Sequence, residues 1–327
     1  MNRKSCLNAL TIDVEEYFQV SGFAKWIDPS DWGGYASRVV ESTQCLLNLL
    51  SCYDVRATFF IVGWVAERHP NLIRQIADLG HEIGSHSYWH QLIYNQSPTE
   101  FSADVERSLE AISRAVPQVS IAGYRAPSFS MTKKTLWAQE ILRTYHFTYD
   151  SSIFPFSGHD RYGMADASRF AYQLESGLWE FPMSTMRLAR RNMPVAGGGY
   201  FRLYPLWLTR WAINQINREG RPAILYLHPW EVDPEQPRMR CASTMARFRH
   251  YIHIDKVKSR LESLLKSYHF APMSQVFSEE LSLQGTNEEF GHRKPTHRRA
   301  YENNNRNTGR AVLPATRSQH VMPKTVG

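Results

Sequence analysis

The sequence predicts an α/β protein folded as a (β/α) barrel, because short apolar runs alternate with amphipathic stretches through its first 280 residues. The candidate buried strands are 7–14, 56–64, 81–87, 121–128, 178–184 and 223–231. The candidate helices are 36–52, 70–79, 98–115, 133–145, 205–219 and 255–267. A Gly-rich phosphate loop is missing from the sequence, which favours a barrel over a dinucleotide-binding sheet.

Two of the helices have clear boundary signals. Ser97, Pro98 and Glu100 form a capping box with proline at the first helical position, which predicts a helix from residue 98. Pro70 lies at the start of an earlier amphipathic stretch, and Gly80 supplies the left-handed residue that ends it. The next strand is therefore expected within a residue or two of Gly80.

The barrel domain is expected to span residues 1–280. Residues 154–195, rich in aromatic residues, Arg and Met, interrupt the alternation and are interpreted as an insertion over the barrel mouth. Apolar periodicity ends near residue 280, and residues 281–327 are predicted to be a disordered basic tail.

The charge distribution argues against a nucleic-acid partner. The net charge is +7, but residues 281–327 hold eight Lys/Arg and three Asp/Glu, so the first 280 residues are nearly neutral. The N-terminus lacks the apolar region of a signal peptide, and no run reaches the roughly 20 apolar residues of a membrane span. A soluble, cytoplasmic protein without stable membrane insertion is expected.

Candidate metal ligands lie at two predicted strand ends. His86 and His90 are four residues apart, a spacing at which both imidazoles can face one ion. Asp13 and Glu15 close the first strand and share one face of it, whereas Glu16 points to the other face. Each pair alone is weak evidence, since acidic strand ends are often merely solvated.

Two further side chains are predicted at the same mouth. Arg125 follows the strand 121–124, and a guanidinium there can orient a carboxylate; a surface ion pair is the alternative. His228 ends the strand at 223–227, where it can act as a general acid or be an ordinary core histidine.

These motifs together resemble the polysaccharide deacetylases of the NodB-homology type, carbohydrate esterase family four, over roughly residues 8–280. The quoted segments are Asp13-Val14-Glu15, the run from His86 to His90, Arg125-Ala126-Pro127-Ser128 and Leu225-Tyr226-Leu227-His228. Further runs, including TIDVEEYFQV and LHPWEVDPEQPRM, are similar to the subgroup encoded with bacterial exopolysaccharide and exosortase systems.

The resemblance implies a distorted (β/α) barrel, a single divalent metal and a substrate bearing N-acetylhexosamine; whether that oligo- or polysaccharide is lipid-linked is left open by the sequence. The expected reaction is removal of N-acetyl groups from a bacterial polysaccharide or its precursor. Glu15, His86 and His90 are then expected to hold the metal, with Zn²⁺ as the expected ion. Asp13, held by Arg125, is expected to take a proton from the attacking water, and His228 to protonate the departing amine.

Predicted substrate contacts are Ser128, near which a backbone amide would stabilise the oxyanion, and the aromatic residues Phe129, Trp179 and Trp230, which could stack on sugar rings. Two departures leave alternatives open. Val14 occupies the position of the family's second adjacent acid, so the ligand is Glu15 or Glu16. Ser128 replaces an aromatic residue of the third motif, so the oxyanion donor is not assigned to one residue.

Two other functions fit the sequence. The same barrel and metal could hydrolyse another small C–N substrate, such as a ureide or a cyclic amide. Because the third motif is altered, an inactive carbohydrate-binding module is the other alternative. The sequence does not predict the oligomeric state.

Overall fold

The computed structural model describes residues 6–158 and 162–288. Its strands are β1 (Leu7–Val14), β2 (Thr58–Ile61), β3 (Glu82–Ser85), β4 (Gly123–Tyr124), β5 (Tyr149–Asp150), β6 (Tyr172–Gln173), β7 (Trp179–Glu180), β8 (Thr185–Leu188), β9 (Arg191–Pro194), β10 (Ile224–Leu227) and β11 (His269–Ala271).

The α-helices are α1 (Val39–Cys52), α2 (Gly63–Arg68), α3 (Pro70–Asp78), α4 (Pro98–Ala115), α5 (Trp137–Thr144), α6 (Gly198–Leu203), α7 (Leu206–Arg218), α8 (Thr244–Tyr251), α9 (Val257–Leu265), α10 (Met273–Val276) and α11 (Ser278–Glu288). Short 3₁₀ helices span Pro29–Gly34, Ile93–Asn95, Pro127–Phe129, Pro229–Val232 and Ile254–Lys256.

One main sheet forms the frame, in the order β10-β1-β2-β3-β4-β5-β7-β6, with β11 beside the start of β1. Its pairings are parallel except that of β6 with β7. A parallel bridge from Gly197 to Tyr226 extends the sheet beyond β10. Because the strands are parallel, the carboxyl ends of β1 to β5 and β10 meet at one mouth.

The two faces of the sheet pack into separate cores. Leu10, Ile12 and Val14 of β1 join the larger core, which includes the apolar faces of α1, α3, α7 and α9. Ala9 of β1 joins a second cluster. Its members include Phe60 of β2, Tyr149 of β5, Phe181 after β7, and Ile224 and Tyr226 of β10. Inward side chains of distant strands can meet in one cluster only if the sheet curls, as in a barrel.

The boundary signals in the sequence operate as predicted. Ser97 and Glu100 form the capping box, and α4 has the predicted bounds Pro98–Ala115. Gly80 adopts a φ of +76°, so the chain turns out of α3 and enters β3 after a single further residue. β1 also has its predicted bounds, Leu7–Val14.

The insertion predicted over 154–195 is wrong as drawn. β6 and β7 belong to the main sheet, and only the β8–β9 hairpin forms a separate two-stranded sheet within the described residues. Phe154 and Phe181 fill the barrel interior. β7 lies within the predicted strand 178–184, but the two-residue strand β6 has no periodicity to reveal it, and aromatic residues that fill a barrel have the same composition as residues that cover one.

The predicted tail begins too early. Helix α11 runs through residue 288, so residues 281–288 are helical, and residues 289–327 lie outside the described residues. No helix within 6–158 or 162–288 has both the length and the apolar character needed to cross a bilayer.

Candidate functional site

The predicted polar residues converge on one cavity at the mouth of the barrel. Asp13 and Glu15 follow or end β1, His86 and His90 follow β3, and His228 follows β10. All five line a cavity of about 400 Å³. Successive side chains of a strand point to opposite faces, so residues an even number of positions apart share a face. Asp13 shares the inward face of Ala9 in this way, and His228 shares that of Ile224.

Glu15, His86 and His90 form a compact donor set. One ligand atom of each lies within 4.8 Å of the other two, and all three side chains are buried. Nδ1 of His86 is 2.7 Å from the Arg125 carbonyl oxygen, a contact that fixes the proton on Nδ1 and leaves Nε2 available. Glu15 Oε2 lies 2.7 Å from His90 Nε2.

Two buried atoms of this set suit a cation. Glu15 Oε2 and His90 Nε2 face each other at 2.7 Å, and within the described residues Glu15 Oε2, which is shielded from solvent, has no other hydrogen-bond partner. Glu15 Oε1, by contrast, accepts a hydrogen bond from the Trp230 indole at 3.0 Å. A carboxylate with one oxygen held and the other facing imidazole nitrogens fits the N- and O-donor chemistry of a divalent metal. The predicted donors therefore come together, while their role as ligands stays a prediction.

Charge at the donor set favours added positive charge. Burial opposes ionisation of Glu15, but the imidazoles of His90 and His228 hold its pKa below the usual range. Burial lowers the pKa of His86 to about 4, which keeps this imidazole neutral and able to coordinate. Burial also acts to lower the pKa of His90, yet the Glu15 carboxylate raises it overall. The Glu15–His90 pair thus attracts a proton or a cation.

Glu16 lies apart from the donors. Its Oε2 accepts a hydrogen bond from the Arg38 amide at 3.0 Å, and its Oε1 accepts one from the Ser37 hydroxyl. It fastens the segment before α1, and burial raises its pKa. The geometry therefore favours Glu15 over Glu16 as the acidic donor, as the alternation of β1 predicts.

The loop that carries both histidines is held by a residue that sequence reasoning missed. Asp104 of α4 accepts hydrogen bonds from the amides of Tyr88 at 2.8 Å and Trp89 at 2.9 Å. The His90 amide donates to Ser87 Oγ at 2.9 Å. Ser87 and His90 have φ values of +62° and +51°, a costly conformation that these bonds help to maintain. Asp104 is one of the inward positions of α4, which is the available sequence signal.

Asp13 is fixed by Arg125. The guanidinium Nη1 donates to Asp13 Oδ1 at 2.8 Å and to Thr11 Oγ1 at 2.6 Å. The opposite edge of the guanidinium donates to the carbonyl and hydroxyl oxygens of Ser151, at 3.1 and 3.0 Å. Arg125 is fully buried over the Phe60 ring. Asp13 is thus oriented by a side chain with no freedom of its own, and the surface ion pair considered as an alternative is wrong.

His228 is oriented by two residues that sequence reasoning left without a role. Glu231 Oε2 accepts from the His228 amide at 2.9 Å and lies 3.1 Å from His228 Nδ1. Glu231 Oε1 pairs with the buried guanidinium of Arg202. Burial lowers the pKa of His228. The His-Pro-x-Glu spacing, a capping signal, indicated Glu231; the partnership with Arg202 depends on tertiary structure.

The two tryptophans predicted to bind sugar do other things. Trp230 is 4% exposed, and it stacks on the His250 ring at 4.1 Å and on the His228 ring at 5.0 Å between centroids. Its faces are therefore occupied, and it positions Glu15 instead. Trp179 is absent from the cavity lining, since it lies at the start of β7 and packs on Phe181. A sugar-stacking role for Trp179 is wrong.

Ser128 and Phe129 line the cavity as predicted. Both have positive φ, +49° and +53°, so the backbone turns sharply at the cavity wall. The Phe129 amide already donates to the Ala126 carbonyl at 3.0 Å. The Phe129 ring is 4% exposed and packs edge-on against Tyr226. It builds the cavity wall, and its role as a sugar platform stays a prediction.

Two family models match the chain in succession. Residues 32–145 match the family described as polysaccharide deacetylase, and residues 151–278 match a domain of unknown function, DUF3473. The match over residues 32–145 confirms the resemblance to the polysaccharide deacetylase family that the sequence motifs predict. The exopolysaccharide-associated subgroup stays a prediction.

Curated relatives share part of this region. A peptidoglycan-N-acetylglucosamine deacetylase of Bacillus cereus is 36% identical over 90 residues, which cover 28% of this chain and 30% of the relative. A chitooligosaccharide deacetylase of a Bradyrhizobium species is 32% identical over 102 residues, covering 31% of this chain and 44% of the relative. The chain therefore aligns with less than half the length of these two relatives.

A solved structure confirms the fold. A Mycobacterium smegmatis protein assigned to the polysaccharide deacetylases superposes with a TM-score of 0.58 at 21% identity, over 91% of this chain and 96% of that one. The match extends across both family segments. The predicted distorted (β/α) barrel of the NodB-homology type is thus confirmed.

Proposed function

We propose that the protein is a metal-dependent hydrolase that removes N-acetyl groups from N-acetylhexosamine units of a bacterial polysaccharide or its precursor. The observation that carries this proposal is the arrangement of one cavity: a buried Glu15-His86-His90 donor set, with Asp13 and His228 in the same lining. Relatives named for deacetylation of peptidoglycan N-acetylglucosamine and of chitooligosaccharides support the substrate class.

Glu15, His86 and His90 would hold the metal, and two nitrogen donors with one carboxylate suit Zn²⁺ with positions left for substrate and water. When bound, a divalent ion would polarise the acetamide carbonyl and lower the pKa of a water molecule. Trp230 fixes Glu15 through its indole N–H, so the donor set is organised before any ion arrives.

Asp13 is the proposed base. Its carboxylate lines the same cavity as the donor set, is held by Arg125, and is not one of the three proposed metal ligands. A fixed carboxylate can remove a proton from attacking water without first reorganising. Its orientation by a fully buried guanidinium keeps that geometry through the reaction.

His228 is the proposed acid. Its Nε2 lies 3.6 Å from Glu15 Oε1, and its Nδ1 is held by Glu231, so the Nε2 edge faces the cavity. An amine leaves poorly as an anion, so a proton donor at this position is what amide cleavage requires.

The Ser128 amide is the proposed oxyanion donor. Ser128 lines the cavity in a left-handed conformation, whereas the neighbouring Phe129 amide is committed to the Ala126 carbonyl. A preorganised amide costs no reorganisation when charge develops on the carbonyl oxygen.

Acetate release tests the proposal. The purified chain is incubated with N-acetylglucosamine oligomers, before and after a chelator, and then with Zn²⁺, Co²⁺ or Mn²⁺ restored. We expect release to disappear on chelation and to return with metal. Release that ignores the chelator would remove the metal from the proposal. Bound oligomer without release would favour an inactive module, and release from ureides or cyclic amides alone would favour the other hydrolase.

A matched pair of variants locates the acidic donor. Glu15→Gln removes the ligand charge inside the donor set, whereas Glu16→Gln makes the same change one residue away, where Ser37 and Arg38 hold the carboxylate. We expect the metal content to fall in Glu15→Gln and to be retained in Glu16→Gln, measured by elemental analysis. The opposite pattern would assign the ligand to Glu16.

A further inference from the structure

The cavity has two chemically different ends. Its floor is polar and buried, since Asp13, Glu15 and His86 are each 2% exposed. Its outer wall includes Leu203, Met245 and Phe248, which are 51, 60 and 57% exposed. Single exposed apolar side chains are common on protein surfaces, but these converge on one cavity that leads to the candidate active site.

One face of α8 forms much of the wall. Met245, Phe248, Arg249 and Ile252 recur at the spacing of one helical face and all line the cavity. The other side of the helix is anchored by His250, which is buried against the Trp230 ring. Leu203, at the end of α6, adds to the wall, and the Arg202 guanidinium links the two helices by donating to the Arg249 carbonyl at 2.9 Å.

Such a wall is poorly suited to a bare saccharide. Arg249 is the hydrogen-bonding side chain of the α8 face and the Phe248 ring its one stacking surface, whereas Leu203, Met245 and Ile252 offer neither, so sugar hydroxyls placed against these three would lose hydration without compensation. Hydrocarbon placed there would instead remove apolar surface from water on both partners. A single ligand that satisfies both ends must therefore carry an amide at one end and hydrocarbon at the other.

We propose that the outer wall binds a hydrocarbon chain attached to the acetamido sugar through its glycosidic position, so that the substrate is an amphiphile. This inference rests on the proposed deacetylase function. The acetyl group must reach the polar floor near Asp13 and His228, which places the N-acyl side inward. The chain then lies on the side of the sugar that faces Leu203, Met245 and Phe248.

Calorimetric binding of methyl, butyl and octyl β-N-acetylglucosaminides to the full chain tests the proposal, at concentrations where each ligand is monomeric. A buried methylene gives up to about fourfold in affinity, and the wall covers part of the chain, so octyl should bind on the order of tenfold to a hundredfold more tightly than methyl. Met245→Gln/Phe248→Gln should reduce this ratio to within a few fold of one. Leu188→Gln, which removes a 49% exposed leucine on the β8–β9 hairpin, should keep it.

Equal affinities for methyl and octyl ligands would overturn the proposal, as would a preference that survives Met245→Gln/Phe248→Gln. A gain obtained with an N-octanoyl chain and not with the octyl glycoside would place hydrocarbon on the wrong side of the sugar. Binding to sugar-free phosphatidylglycerol vesicles that the double variant loses would make the wall a membrane-docking surface instead. Acetate release is measured separately, so that the two proposals can fail independently. Tight octyl binding without acetate release would overturn the proposed deacetylase function. Acetate release without a preference for the longer chain would overturn only the proposal that the outer wall binds hydrocarbon.

Discussion

The parts of the chain before and after residue 150 build one cavity in different ways. The first part supplies Asp13, the donor set and Arg125 from strands in the middle of the sheet, and its helix α4 buries seven side chains. The second part supplies His228, Glu231, Arg202 and the apolar wall, from strand β10 and from helices α6 and α8, and in α8 the buried residue is His250. Reactive groups thus come from both parts, but α8, which forms much of the wall, is less deeply packed than α4.

The difference follows from what each part must do. Three donors must meet within 4.8 Å, which requires strands and helices that cannot shift. A wall that contacts the outer end of a ligand tolerates variation in shape. The parts are joined through the pairing of β1 with β10 and through side chains near the cavity. Among these, the Trp230 indole donates to Glu15 at 3.0 Å, and Arg38 binds Asp233 through two hydrogen bonds at 2.8 and 3.0 Å.

The largest expected effects come from the two proposed proton-transfer residues, one in each part. Asp13→Asn keeps shape but cannot accept a proton, and His228→Ala removes the proposed acid. Both should lower kcat on the order of 10²- to 10⁴-fold in acetate-release assays. Both should keep the metal content of the wild-type protein, because neither residue belongs to the donor set.

Elemental analysis of the same preparations provides the control. If His228→Ala loses metal, His228 is a ligand, and the second part would then help to hold the ion. If Asp13→Asn retains full turnover, another group is the base, and the claim that each part supplies one proton-transfer residue is wrong.

A smaller effect is expected where the parts touch at the donor set. Trp230→Phe removes the indole N–H that holds Glu15 but keeps an aromatic ring against His250. Loss of such a supporting contact typically costs 10- to 100-fold in metal affinity, which a competition titration with a chromophoric chelator would measure. Trp179→Phe is the matched control, since Trp179 lies outside the cavity lining, and its metal affinity should equal that of the wild type. Equal affinities in both variants would show that Glu15 is fixed without Trp230.

Sequence reasoning succeeded where local chemistry decides structure. The run 7–14 became β1 and the capping box placed the start of α4, since apolar patterning and caps act within a few residues. The alternation of a strand also separated Glu15 from Glu16. From residue 149 onward, β5, β6 and the β8–β9 hairpin were missed, because no longer apolar run encloses them, whereas the equally short β4 and β7 lie within the predicted runs 121–128 and 178–184.

The site followed the same division. Asp13, His86, His90, Arg125 and His228 could be placed together because each lies at or just after the end of a strand, and parallel strands end at one mouth. Arg202 could not be assigned a role, because its partner Glu231 is distant in sequence. Asp104 could not be assigned one either, because its partners are the backbone amides of Tyr88 and Trp89, which the sequence does not distinguish from other amides. Trp179 and Trp230 look alike in sequence, and only their packing separates them.

The smallest expected effect compares the two helix caps. Ser97 Oγ accepts the Glu100 amide at 3.3 Å in α4, and Ser243 Oγ accepts the Ala246 amide at 3.2 Å in α8. Replacing a cap by alanine typically costs about 1 kcal/mol of helix stability. Because α4 is packed into the core, Ser97→Ala should lower the free energy of global unfolding by about that amount in denaturant titrations. Because His250 is the buried residue of α8, we expect this helix to open separately from the barrel, so Ser243→Ala should leave global unfolding within a few tenths of a kcal/mol and speed hydrogen exchange of α8 amides. Equal losses of global stability in both variants would mean that α8 unfolds together with the barrel, and the contrast between a fixed donor frame and a separately adjustable wall would then be wrong.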